Sequence, residues 1–414
     1  MIPRQPVSGQ CLVDSGQKTE PRSLNPEPWS GANSGKRRKL KRFAVLRLED
    51  ERRNSQFSHR REFFVFTELI LRTIEMIEGV VKMIDQRKLP RQFEIVECRD
   101  YAAVATAIKD MTIRGAPAIG AAAAFGLALA ARESRATKRD DLLKDLATAE
   151  KILRVTRPTA INLMWALERV MREARSTNLD ANGLRDFVVA AAQRIAEEDV
   201  AINMAMAKNG AELINDGDTV LTHCNAGALA TVDVGTALGV IMQAHKQGKK
   251  IHVLVDETRP RLQGARLTAW ELTQAGVPMT LIADNASGYY MRVGKIQKCF
   301  VGSDRVAANG DVANKIGTYK VAVVAHENSI PFYAVMPTST IDMNLAHGDD
   351  IPIEERDARE VTHIEGVPIA PEGVRVGNPA FDVTPNKYIT ALVTERGVVY
   401  PPFVENLQKI MQVK

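Results

Sequence analysis

The hydrophobic period of this chain changes after Gly217, and the change decides what its second half can fold into. Before that point, apolar residues recur at three- and four-residue steps over 101–110, 117–132, 140–154, 159–175, 184–199 and 200–215, the spacing of helices that bury one face. After it, short apolar runs at 219–223, 251–255, 279–283, 298–302 and 331–336 alternate with helical segments near 228–247, 260–275, 286–294 and 314–327. Strand-length runs separated by helices are the pattern of a doubly wound parallel sheet. Ligands bind such sheets outside the carboxyl ends of the strands, near the reversal of strand order. Most of these runs lead into a thiol or a carboxyl: Cys224, Asp256, Asp284 and Asp304. That edge is the expected active site.

At 414 residues, with 45% hydrophobic and 25% charged composition, the chain is long enough for two globular domains. Its net charge of +5 is unevenly placed: residues 1–63 carry 14 Lys/Arg against 7 Asp/Glu, so residues 64–414 sum to −2. The basicity belongs to the tail and is no argument for nucleic-acid binding by the folded part. Residues 1–63, rich in Pro, Ser, Gly and Asn around the basic run Lys36–Arg42, are expected to be a disordered basic extension, because they cannot bury enough apolar surface to offset their ordering entropy. A small strand-plus-helix domain is expected over 64–215, opening with a hairpin of 82–86 and 93–98 across Leu89-Pro90, and the parallel-sheet domain over 216–414.

Cys11, Cys98, Cys224 and Cys299 show no CxxC spacing and are too few for a disulfide framework, which favours a reducing, cytoplasmic setting. The apolar run Gly115–Ala131 spans 17 residues and contains Pro117, Gly120 and Gly126. It falls short of the roughly 20 residues a bilayer demands, so a buried helix is expected and no membrane association. No secretory signal core is read near the start.

Cys224 ends a strand-like run and precedes Asn225-Ala226-Gly227-Ala228 and a helical pattern. A helix amino terminus there would lower the thiol pKa and favour the thiolate; the plain alternative is a buried structural cysteine. Asp256, Asp284 and Asp304 are candidate general acids that pattern alone does not separate, since Asp after a strand often caps the next turn. His223, beside Cys224 on a strand, should point to the opposite face and pack against a helix.

Arg114-Gly115-Ala116-Pro117 combines a cation with a glycine that allows close backbone approach and a proline suited to a first helical turn, a setting that attracts phosphate. Arg157-Pro158-Thr159 repeats the theme, and Asn314-Lys315-Ile316-Gly317 is read as a third helix start, with Lys315 as a point charge for phosphate. Three anion sites beside a thiol point to a small phosphorylated substrate. The chain has no GxGxxG, GxxxxGK[ST], HExxH or paired CxxC, so dinucleotide, nucleoside triphosphate and zinc lack sequence support.

Taken together, these residues resemble the methylthioribose-1-phosphate isomerases, which sit in a larger group with the regulatory subunits of eukaryotic initiation factor 2B and the ribose-1,5-bisphosphate isomerases. The likeness runs from about Leu71 to Pro402 and includes Arg114–Gly120, Arg157–Leu163, Thr222–Gly227, Asp256–Gly264, Gly302–Asp311 and Asn314–Tyr319. Two late stretches, Ile351–Arg356 and Asn378–Pro385, look specific to the methylthioribose branch. Ser303 departs from the Ala more usual before the aspartate, and residues 1–63 lie outside the pattern.

The resemblance implies a Rossmann-like second domain and a cofactor-independent conversion of S-methyl-5-thio-α-D-ribose 1-phosphate to S-methyl-5-thio-D-ribulose 1-phosphate, a step of methionine salvage. It assigns catalysis to Cys224 and Asp304, and substrate contacts to Arg114, Gly115, Ala116, Arg157, Gln263, Asn314 and Lys315. It implies a homodimer, no metal and no organic cofactor. Alternatives are a phosphopentose isomerase acting on ribose 1,5-bisphosphate or 5-deoxyribose 1-phosphate, and a non-catalytic subunit of the initiation-factor type.

Overall fold

The computed structural model describes residues 72–157 and 160–412; the expected extension over 1–63 lies outside them. The described residues open with a three-stranded antiparallel sheet of β1 (Ile74–Ile77), β2 (Val80–Ile84) and β3 (Ile95–Cys98). The β2–β3 pair is the anticipated hairpin, with Met83 opposite Val96. The strand β1 is an addition to the expected elements. Its turn to β2 is Glu78-Gly79, both at positive φ, in place of the usual Asn-Gly signal.

Five helices come next: α1 (Tyr101–Lys109), α2 (Ala116–Glu133), α3 (Arg139–Arg154), α4 (Ile161–Ser176) and α5 (Ala181–Ala211). Every residue of α2 from Ala118 to Ala131 is buried, as expected for a central helix whose small side chains let neighbours approach from all sides. The segments 184–199 and 200–215, expected as two helices, form the single helix α5 up to Ala211, because no glycine or proline interrupts the backbone at their join. Its first half packs in the helical core through Leu184, Val188 and Ile195, and its last turns reach the second core through Met206 and Ala211.

The second half is the doubly wound sheet. Strands β4 (Thr219–Thr222), β5 (His252–Asp256), β6 (Met279–Ile282) and β7 (Lys298–Val301) alternate with α6 (Ala237–Lys246), α7 (Ala269–Gln274) and α8 (Ala286–Arg292). Next come β8 (Arg305–Ala307), β9 (Val312–Lys315), α9 (Thr318–Glu327), β10 (Phe332–Val335) and β11 (Ile341–Asp342). A short helix α10 (Arg359–Thr362) and the ribbon β12 (His363–Ile364) and β13 (Val367–Pro368) precede β14 (Phe381–Thr384), β15 (Ala391–Thr394), β16 (Gly397–Val399) and α11 (Phe403–Gln412). The main sheet has the order β16-β15-β10-β7-β4-β5-β6, parallel throughout except at β16. Both faces are covered, so strand residues are buried alternately on one side and the other. Leu221, Leu254, Cys299, Val301, Phe332 and Leu392 pack with α8, α9 and α11. Val220, Val253, Phe300, Tyr333 and Val393 pack with α5, α6 and α7.

A smaller sheet, β11-β8-β9-β14, stands beyond the carboxyl ends of the main strands. It corrects one expectation. Asn314 and Lys315 belong to the buried strand β9, and the helix starts only at Thr318. Its N-terminal Gly317 has φ 101, and the amides of Gly317 and Tyr319 donate to the Asp382 carboxylate at 2.7 and 3.0 Å. A cap supplied from β14, 65 residues away, leaves no local sequence signal.

Candidate active site

Strand order reverses between β4 and β7: the first three strands of the main sheet run to one side and the later four to the other. Cys224 comes just after β4 and Asp304 just after β7, so they flank the crevice such a reversal opens. Both line one cavity of about 410 Å³. The sequence-expected residues Arg114, Gly115, Ala116, Arg157, Gln263, Asn314 and Lys315 line it too.

The main chain of Cys224 is held in a conformation a non-glycine residue rarely adopts, φ 67. Its N–H donates to Thr258 Oγ1 at 2.8 Å, and its carbonyl accepts from Thr268 Oγ1 at 2.7 Å. Strain of this kind persists where surrounding bonds over-determine it. The expected helix start after Cys224 is not there: a loop and a single 3₁₀ turn (Ala228–Ala230) intervene before α6. Burial pushes the thiol pKa up, and Lys315 and Arg114 pull against it. The expected lowering by a helix end is therefore overturned. Burial also raises the Asp304 carboxyl, the direction expected of it, against the downward pull of Lys315, Arg114, Arg356 and Arg157.

Cations gather on the other walls. Arg114 donates to Asn225 Oδ1 at 2.7 Å and to the Asn225 carbonyl at 3.0 Å. Gly115 caps α2 at φ 97, and a Cβ there would collide with the Ala230 backbone. The α2 amino terminus thus opens on the cavity, where its free amides favour an anion. Arg157 Nη1 and Gln263 Oε1 are buried without a hydrogen-bond partner among the described residues. Lys315 donates to the Ala380 carbonyl at 2.9 Å and lies 4.5 Å from the Phe381 ring centroid; burial lowers its pKa. Asn314 donates to Thr318 Oγ1 at 3.0 Å.

Three-dimensional structure separates the three aspartates. Only Asp304 lines the cavity. Asp256 accepts from His223 Nδ1 at 2.9 Å, and Asp284 accepts the amides of Thr258 and Arg259, each at 2.7 Å. The His223 Nε2 lies 2.9 Å from the Ile316 carbonyl, so both ring nitrogens face acceptors and the ring bridges β5 to the turn before α9. His223, Asp256 and Asp284 offer ligand atoms within 4.8 Å of one another, but most of these atoms are already committed to those bonds.

The site also contains residues to which the sequence reading assigned no role. Arg261, Ser303, Glu354 and Arg356 line the cavity. Arg356 and Glu354 come from one of the late stretches noted in the sequence, which pairs with the other: Arg356 N–H donates to the Asn378 carbonyl at 2.9 Å and Ala380 N–H to the Glu354 carbonyl at 2.8 Å. Their charge and position within that stretch were the only available signal.

Comparison with known proteins places the chain in a family. The model of the "Initiation factor 2 subunit family" matches residues 112–401. Methylthioribose-1-phosphate isomerase of Thermosipho africanus is 57% identical over 340 residues, covering 82% of this chain and 98% of that protein. The protein of that name from Geotalea uraniireducens is 56% identical, covering 82% and 99%. Among solved structures, 5-methylthioribose 1-phosphate isomerase from Pyrococcus horikoshii is 50% identical with a TM-score of 0.79, over 83% of this chain and 96% of that one. A protein of A. fulgidus described as translation initiation factor eIF-2B, subunit delta, is 47% identical with a TM-score of 0.76, over 83% and 99%. The two-part α/β fold, the switch-point cavity and relatives at this identity lead to one assignment: the chain belongs to the Initiation factor 2 subunit family, in its isomerase branch.

Proposed function

We propose that the protein converts S-methyl-5-thio-α-D-ribose 1-phosphate to S-methyl-5-thio-D-ribulose 1-phosphate, a step of methionine salvage. The supporting observation is the meeting of a thiol and a carboxyl, Cys224 and Asp304, in one cation-lined cavity at the strand-order reversal. Phosphate on the anomeric carbon leaves no free aldehyde, so the ring must open by protonation of its oxygen. Asp304, whose carboxyl burial pushes up toward the protonated form, is the acid for that step. In the proton route, the Cys224 sulfur takes the C2 proton, giving an enol phosphate. Return of that proton to C1, with loss of the 2-hydroxyl proton to Asp304, yields the ketone. One carbon is oxidised as its neighbour is reduced, so the reaction balances without an external oxidant or reductant. Because burial holds the thiol up, Cys224 reaches the thiolate only against resistance; in the alternative hydride route it stabilises the transition state without taking the proton.

In this reading Arg114, Arg157, Lys315 and the α2 amino terminus hold the phosphate, with Gln263 and Asn314 on the sugar. A cytoplasmic homodimer is the assembly that the family resemblance implies. The deciding experiment incubates the purified chain with the methylthio sugar phosphate and, in parallel, ribose 1,5-bisphosphate, monitoring ketose formation. Turnover of the first supports the proposal. Turnover of only the second makes the protein a phosphopentose isomerase, and inertness toward both favours a non-catalytic subunit.

A further inference from the structure

Glu271 on α7 is a carboxylate with 5% exposure that the isomerase reading does not use. Its Oε1 accepts Asn225 Nδ2 at 2.8 Å, its Oε2 accepts the Ala228 N–H at 2.7 Å, and the Leu229 N–H is also directed at it. Among the described residues its hydrogen-bond partners are all donors, which favour the carboxylate form against the burial that pushes its pKa up to about 7. The carboxylate lies so close to Gly227 that a Cβ at that position would overlap Oε2. Glu271 thus ties Asn225 to Ala228 within the loop that carries Cys224.

The bonds around Asn225 run in one direction. Thr268 spends its hydroxyl proton on the Cys224 carbonyl at 2.7 Å, so its oxygen must accept from Asn225 Nδ2 at 3.1 Å. The second Nδ2 proton goes to Glu271. The Asn225 amide can therefore turn only its Oδ1 toward Arg114, where it accepts Nη1 at 2.7 Å. A neutral or rotated partner at 271 would release the amide and allow two donors to face each other. Among the described residues Arg114 has no direct carboxylate partner in its hydrogen bonds; Glu271, one residue removed, is among the negative groups that favour its buried charge.

We propose that Glu271 is a positioning residue that acts through Asn225 to aim the Arg114 guanidinium at a phosphate in the cavity. This rests on the reading of Arg114 as a phosphate contact. The test is calorimetric titration of the full chain with inorganic phosphate, alongside kinetics and melting curves, for wild type, E271Q, R114A, the double variant and N225A. E271Q should weaken phosphate binding at least about fivefold and raise KM more than it lowers kcat. In the R114A background E271Q should weaken phosphate no further, because the interaction it supports is already gone. N225A, with Glu271 in place, should reproduce the loss, which keeps the test informative if E271Q does not fold. Wild-type phosphate affinity in E271Q or N225A, or full additivity in the double variant, overturns the inference. If wild type binds phosphate but isomerises neither sugar, the proposed substrate fails while the Glu271 result still stands. If wild type binds no phosphate, the placement of Arg114 fails and the inference with it.

Discussion

Cys224 and Thr258 face each other across the ends of β4 and β5, both with left-handed backbones (φ 67 and 62), joined by the Cys224 N–H donating to Thr258 Oγ1 at 2.8 Å. Neither conformation is comfortable for a side chain of its type, and each is held by the other's bond. Thr258→Val removes the acceptor and leaves the amide unpaired. The expected cost is about 1–3 kcal/mol of stability by denaturant unfolding, with kcat lowered between about tenfold and 100-fold through misplacement of the sulfur. Wild-type kcat would show that the hydroxyl does not position Cys224.

Cys224→Ser and Asp304→Asn should each lower kcat by at least about 100-fold with the melting transition preserved, since each removes a group on which the proposed mechanism depends. Steady-state rates near wild type in either variant would eliminate the proposed mechanism.

The charge environment of Cys224 predicts its reactivity. Because burial raises the thiol pKa, alkylation by iodoacetamide, read at the Cys224 peptide by mass spectrometry, should accelerate only above the ordinary thiol range. Lys315 pulls that pKa down, so Lys315→Met should move the onset to still higher pH and, on the proposed role of Lys315 as a phosphate contact, raise KM. An onset below the range of a free cysteine would mean that the thiolate is stabilised in a way this structure does not contain.

Asp256→Asn is the counterpart of Asp304→Asn. It disrupts the buried His223–Asp256 bond, with exposures of 1% and 0%, so stability should fall by about 3–5 kcal/mol if His223 is charged. His223 lines the cavity but Asp256 does not, and the proposed mechanism gives neither a chemical step, so kcat per folded molecule should stay within a few-fold of wild type. A loss as deep as that of Asp304→Asn would place Asp256 in the chemistry.

Much of the architecture was legible because it is periodic. The strand runs at 219–223, 251–255, 279–283, 298–302 and 331–336 correspond to β4, β5, β6, β7 and β10 within a residue or two, since a strand buried on both faces must be apolar throughout; the edge strand β6, with Thr280 and Leu281 exposed, is the exception. The burial of 118–131 was readable for a similar reason: an Ala-rich helix has no polar face to show to water. The candidate site could be proposed from residue type and strand position, because the carboxyl edge of such a sheet is where loops converge.

Only the tertiary structure decided which aspartate faces the cavity, that a loop rather than a helix succeeds Cys224, and where Lys315 sits. Each depends on partners far away in the chain. Asp256 is claimed by His223 and Asp284 by the amides of Thr258 and Arg259, which leaves Asp304 to the cavity. The α9 start is set by Asp382, and the orientation of Arg114 by Asn225 under Glu271. Local periodicity records which face of an element is buried. It does not record which polar atom in the crevice finds a partner, because that choice is made by groups brought together only when the chain folds.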